Sequence, residues 1–241
     1  MAADLQPLRR VGLAALTAAA GALLLVLSWP RLDTALQRVM PDAVIADLAA
    51  GRGAAPAELT RAAARLTATL DAHDDAGAFG DLATLRLTQA LAAGATTPTG
   101  TRLLGDSRQH QVQALARRPS DGFGWFRLAQ ATLLEDGVGE PAARYLLASL
   151  TAYPAAGELL LPRLEMAFLM WPLLPAEGRA AFAPQIRLAA AGNFWRRRAL
   201  VDLTRRRFAL PQVRAALRDD PALAAEFERF YLNWSRRPLT G

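Results

Sequence analysis

Apolar residues along this chain recur three and four positions apart, in runs separated by Gly, Pro and Asp. Period-two alternation never lasts the length of a strand and β-branched residues are sparse, so the pattern predicts an all-α protein. After residue 31 the first helix carries Leu36, Val39, Val44, Ile45 and Leu48, with Pro41 expected to break or kink it. A hinge at 51–56 leads to a helix over 56–72, with Leu59, Ala63, Leu66 and Leu70 on one stripe and Pro56 at a favoured N-terminal position. Its partner is expected over 79–93, followed by a Thr/Gly/Pro loop at 94–100. Helices over 101–117, 122–135 and 140–152 follow, each closed by Pro, Gly or Asp signals.

The N-terminal run has a different character. Residues 11–30, VGLAALTAAAGALLLVLSWP, are uncharged and lie between Arg10 and Arg31. As a helix they would extend about 30 Å, the thickness of a bilayer's hydrocarbon core. The small residues sit in mid-run and the end is bulky, which favours an uncleaved anchor over a cleaved signal peptide. Trp29 suits an interfacial aromatic and Pro30 a helix end. The expected organisation is a tail at 1–10, an anchor at 11–30, a helical region at 31–94 and a helical domain at 101–241. With the short tail inside, the bulk of the chain would be periplasmic, as a single-pass protein of a bacterial inner membrane.

Within 119–154 the chain resembles the tetratricopeptide repeat. Trp125, Leu128 and Ala129 match its opening, with Ala in place of Gly, and Thr132 stands where Tyr is usual. Pro119 precedes Trp125 as one repeat's closing Pro precedes the next repeat's Trp, and Ala143, Leu147 and Pro154 resemble the second-helix pattern. The turn at 136–139 is longer than the repeat's. The fold class implied is a transmembrane helix followed by a tetratricopeptide-like hairpin array, a short α-solenoid, in which Trp125 and Leu147 fill the space between hairpins.

Further short stretches extend a second likeness: Ser149-Leu150-Thr151, Leu161-Pro162-Arg163-Leu164, Leu169-Met170-Trp171-Pro172, Gln185-Ile186-Arg187 and the AEFERF of 225–230. In this order they look like membrane-anchored helical proteins of proteobacteria that accompany genes for envelope polysaccharide assembly. That resemblance implies an accessory or scaffold subunit and carries over no catalytic residue. Its partners would be proteins, foremost a multi-span inner-membrane protein.

Composition narrows the chemistry. All 28 basic residues are Arg, and Cys is absent, so Schiff-base lysines, lysine phosphate loops, disulfides and thiolate metal sites are excluded. The Arg and Ala excess reflects GC-rich coding. Residues 1–178 hold 15 Arg against 17 acidic residues and residues 179–241 hold 13 against 5, so the net charge of +6 comes from the last quarter. There Arg196-Arg197-Arg198 and Arg205-Arg206-Arg207 lie on one expected helix over 193–209, with Arg198 and Arg205 two turns apart on one face. Two readings stand: a solvated helix whose arginines pair with carboxylates, or a surface for an anionic lipid headgroup or acidic glycan. Nucleic acid does not fit a periplasmic location.

The segment 159–174 is too interrupted by Arg163, Glu165, Pro162 and Pro172 to cross a membrane. It reads as a core helix, and alternatively as a Met-rich groove for a partner, with Met166, Met170 and Trp171 as its lining. His73-Asp74-Asp75 reads as a turn and cap rather than a metal site, and His110 as a surface or helix-interface histidine. Gly122 to Gly124 is too short for a phosphate loop, and Arg163 stands between Glu158 and Glu165, where it can neutralise them. No cofactor, metal or catalytic set is expected. The leading expectation is a non-catalytic, membrane-anchored periplasmic scaffold or adaptor in envelope polysaccharide assembly. An adaptor for secretion or cytochrome maturation is the alternative within that class. A membrane-bound glycan enzyme with an unrecognised carboxylate site is the alternative outside it.

Overall fold

The structure is a computed structural model that describes residues 5–235, with side chains described from 18 to 234 except 30, 31, 33 and 34. Among the described residues it is all-helical with no strand. The helices are α1 (Leu5–Ala49), α2 (Pro56–Ala72), α3 (Ala76–Ala93), α4 (Pro98–Arg117), α5 (Gly122–Asp136), α6 (Glu140–Ala152), α7 (Leu160–Leu169), α8 (Ala176–Ala190), α9 (Phe194–Arg206), α10 (Leu210–Leu217) and α11 (Pro221–Ser235).

Short polar connections set the starts of these helices. Asp75 accepts from Gly77 N to cap α3, Thr97 from Gly100 N to cap α4, Asp121 from Gly124 N to cap α5 and Asn193 from Arg196 N to cap α9. Asp75 therefore belongs to a turn, and Asp74 accepts from Arg117 Nε at 2.6 Å. From α2 to α6 each helix packs on the next through connections of a few residues, the geometry of αα-hairpins. The core is split accordingly. One cluster joins α1, α2 and α3, a small one joins α3, α4 and α5, and the largest runs from Phe126 on α5 to Phe227 on α11. Neighbour-to-neighbour burial of this kind is how solenoids hold together.

The N-terminal expectation requires correction. Among the described residues no helix is long and apolar enough to cross a membrane. The apolar stretch whose side chains are described is 18–29, only 12 residues, or about 18 Å of helix against a core of roughly 30 Å. Residues 11–17 lie outside the described side chains. The single-pass inner-membrane localisation is thereby overturned. The helix does not close at Pro30 either, because α1 continues for 45 residues in all. It also runs through Pro41. Arg38 on the turn before pairs with Asp81 at 2.7 Å and with Asp75, while Val44 on the turn after is buried against α2, so both sides of the proline are fixed to the array.

Two core positions shift by one residue. Phe126 and Leu146 are buried, whereas Trp125 and Leu147, expected to fill the space between hairpins, are half-buried. Trp125 instead stacks on Tyr145 with centroids 5.9 Å apart and donates from Nε1 to Pro119 O at 2.8 Å. Small residues make the helix contacts close: a Cβ on Gly122 would stand 2.4 Å from Tyr153 Cβ and 3.1 Å from Ser149 O.

Arg163 is the largest fully buried side chain. It does not neutralise Glu158 or Glu165. Its Nη2 donates to Ser149 O at 2.7 Å, its Nη1 to Tyr153 O at 2.8 Å and its Nε to Ser149 Oγ at 3.1 Å, while Ser149 Oγ donates to Gly122 O at 2.6 Å. One guanidinium thus ties α7 to the carbonyl end of α6, where helix dipoles favour a cation, and through Ser149 to the start of α5.

Candidate functional site

Alternate helices of the array share one face, and a groove opens there with a cavity of about 300 Å³. Leu91 comes from the end of α3, Phe126, Leu133 and Leu134 from α5, and Met166 and Leu169 from α7. The spacing of 126, 130, 133 and 134 places all four α5 contributors on one side of that helix. Gln130 supplies an amide, and at the rim Arg207 donates to Glu165 Oε1 at 3.0 Å. The lining is mainly aliphatic and aromatic with few polar groups, which is the chemistry of a recognition surface.

Only one of the three residues expected to line a partner groove does so. Met166 faces the cavity, Met170 is 0% exposed inside the core, and Trp171 packs against Phe168 with centroids 6.0 Å apart. A ten-residue α7 followed by a tight turn at Trp171–Leu173 separates these side chains, whereas a continuous helix would have aligned them.

The two arginine triplets are distributed among different duties. Arg197 pairs with Glu226 and lies 5.7 Å from the Phe230 ring centroid. Arg198 pairs with Asp202 and stands 4.6 Å from the Trp234 centroid, so both bind α9 to α11. Arg207 holds Glu165, and Arg205 is also engaged within the fold. Arg196 and Arg206 have no ion pair among the described residues, and ten positions along one helix separate them by about 15 Å. Arg187 and Arg214 likewise pair, with Asp219 and Glu228. Four arginines of the last quarter, Arg187, Arg197, Arg198 and Arg214, thus hold its own segments together, and Arg207 reaches back to α7.

His110 lies beside Phe79 with ring centroids 6.2 Å apart, and burial together with Arg86 lowers its pKa. Among the described residues no three His, Asp or Glu side chains gather as a metal site. The chain has no match among protein-family models, curated proteins or solved structures.

Arg127, on α5 one turn before Gln130, is not among the residues lining the cavity; burial lowers the pKa of its guanidinium, while Asp121 and Asp81 raise it. Phe208, expected with Leu200 and Leu203 on the buried face of the 193–209 helix, instead follows α9 with φ 53° and is 88% exposed. Its N–H bonds Arg205 O at 3.4 Å and the N–H of Ala209 bonds Thr204 O at 2.9 Å, a Schellman turn whose left-handed position normally belongs to Gly. The sequence signal was a helix end without Gly, at Arg206 to Ala209.

Proposed function

We propose that this chain is a non-catalytic scaffold of helical hairpins that binds a protein partner in the groove between α3, α5 and α7. The observation that carries the reading is the open apolar cavity shared by three non-consecutive helices, with Leu134, Met166 and Leu169 presented together and an ion pair at the rim. A surface assembled from successive hairpins offers several contacts in a row, which suits a segment of protein better than a compact small molecule. Its titratable lining is a carboxylate already matched by a guanidinium, an arrangement that lacks the poised acid or base a hydrolytic site requires. The likeness to polysaccharide-assembly proteins gains no support from the comparisons, so the reading rests on the groove.

A photo-reactive amino acid at Leu134 tests it, with the same group at exposed Arg144 as control. Cross-linking in cells to one discrete protein from position 134, abolished by Met166→Asp, is the expected result. Equal labelling from both positions, or labelling indifferent to Met166→Asp, refutes it.

A further inference from the structure

A second cavity, of about 430 Å³, opens between α2, α3 and α4. Successive residues of a helix turn by about 100°, so Arg86, Gln89 and Ala93 share a side of α3 nearly opposite to Leu91, and this cavity faces away from the groove. Leu59 and Thr60 come from α2, Arg86 and Gln89 from α3, and Arg102 and Leu103 from α4. Two guanidiniums line the cavity and no acidic side chain does. Arg102 pairs with Asp106 at 3.1 Å, one turn along α4. Arg86 has no ion pair among the described residues: its Nη1 donates to the neutral Gln89 Oε1 at 3.1 Å, and its Nε is buried with no hydrogen-bond partner. Gln89 donates in turn to Thr60 Oγ1 at 3.4 Å, and Thr60 Oγ1 to Pro56 O at 2.9 Å. The neutral polar groups are thus engaged with one another, and the half-buried Arg86 is left with its charge unmatched. A partly desolvated cation without a counter-charge is costly, and an anion that meets it recovers part of that cost.

From this arrangement we infer that the cavity binds a small organic anion, its carboxylate or phosphate head on Arg86 and its apolar body against Leu59, Ala92 and Leu103. The inference goes beyond the scaffold reading and does not depend on it. A planar guanidinium presents parallel N–H donors to two oxygens on one atom, a geometry that carboxylate and phosphate share and a neutral amide lacks. Arg102 adds a second positive charge, of smaller effect because Asp106 already pairs with it. A volume of about 430 Å³ lies within the range of small-molecule sites, roughly 300–1,000 Å³. Inorganic phosphate would meet Arg86 and leave the aliphatic walls uncovered, so the two features together favour an organic anion.

The test is a ligand-observed NMR titration of the full chain with benzoate and phenyl phosphate, against benzamide as a neutral probe of the same shape and inorganic phosphate as a head without a body. At least one of the two organic anions is expected to bind about tenfold more tightly than benzamide and than inorganic phosphate, and the tighter of the two identifies the head group. Arg86→Met should bring that anion to the level of benzamide while leaving benzamide itself unchanged. Arg102→Met should weaken it only about two- to threefold, since that charge is exposed and already paired. Ala92→Phe, at an exposed position, should exclude every organic probe by filling the cavity. Unfolding midpoints of each variant show that the fold persists. Organic anions that bind no more tightly than benzamide, or that are indifferent to Arg86→Met, overturn the inference. Inorganic phosphate that binds as tightly as the organic anions, or organic binding indifferent to Ala92→Phe, overturns it as well. None of these outcomes bears on cross-linking from Leu134, which reports the groove on the other side of α3.

Discussion

Replacing Arg163 by Met tests whether a buried cation without a carboxylate partner can be a net stabiliser. Two charge-assisted bonds reach main-chain carbonyls, on Ser149 and Tyr153. Bonds to a charged group contribute about 1.5–3 kcal/mol each, or roughly 3–6 kcal/mol for the pair. Against this, taking the guanidinium out of water costs several kcal/mol, and the Met variant recovers that cost. The balance turns on which carbonyls are stranded. Ser149 O keeps the N–H of Tyr153 at 3.2 Å, whereas Tyr153 O loses its charged donor and keeps only the longer bond from Ala156 N at 3.4 Å.

A net loss of about 2–4 kcal/mol is expected, which for a chain of this length lowers Tm by about 4–16 °C. Urea unfolding followed by circular dichroism measures it, with an unchanged m-value as the sign that the native fold persists. Arg163→Lys should recover little, since one ammonium on a flexible stem cannot span both carbonyls and Ser149 Oγ. Because Ser149 Oγ both accepts from Arg163 and donates to Gly122 O, the double variant with Ser149→Ala should show a coupling of about 0.5–3 kcal/mol. A Met variant as stable as the parent, or strictly additive effects with Ser149→Ala, would refute the reasoning and put desolvation above hydrogen bonding here.

Three further outcomes follow from single positions. Phe208→Gly should stabilise the chain by about 1 kcal/mol, because only Gly occupies a left-handed position at no steric cost; a lowered Tm would show that the exposed ring is held by contacts within the chain. Gly122→Ala should cost about 1–3 kcal/mol in urea unfolding, since its Cβ would meet Tyr153 Cβ at 2.4 Å, and an unchanged midpoint would deny the close approach of α5 and α6. His110 has its folded pKa lowered by burial and by Arg86, so the unfolded chain takes up the proton first as pH falls. The stability it contributes is complete above about pH 6.5 and is lost as pH falls through the lower folded pKa. The urea midpoint should therefore drop as pH falls below about 6.5, and His110→Gln should flatten that slope. Equal slopes in both proteins would place His110 in solvent.

What could be read in advance follows the range of the interactions concerned. The bounds of α2 and α6 were legible because Pro, Gly and polar residues act on their immediate neighbours, and Asp75 and Asp121 act as caps within a few residues of where they stand. The same local rules placed a helix end at Pro30 and a break or kink at Pro41, and α1 continues through both. On either side of Pro41 the ion pairs of Arg38 with α3 and the burial of Val44 against α2 hold the helix to the array, and sequence distance hides both. The arginine triplets illustrate the point in reverse. On α9 alone they read as one basic face, yet Glu226, Asp202 and Glu165 reach them from α11, from α9 itself and from α7, and Arg196 and Arg206 are left far apart. The groove is the extreme case, because Leu91, Leu134 and Met166 are brought together only by the stacking of hairpins. Asp81 shows the same dependence on range. It accepts from Arg38, 43 positions earlier, at 2.7 Å and has the charge of Arg127 near it 46 positions later, so its surroundings are set by α1 and α5 together, and no window of sequence around Asp81 contains either cation.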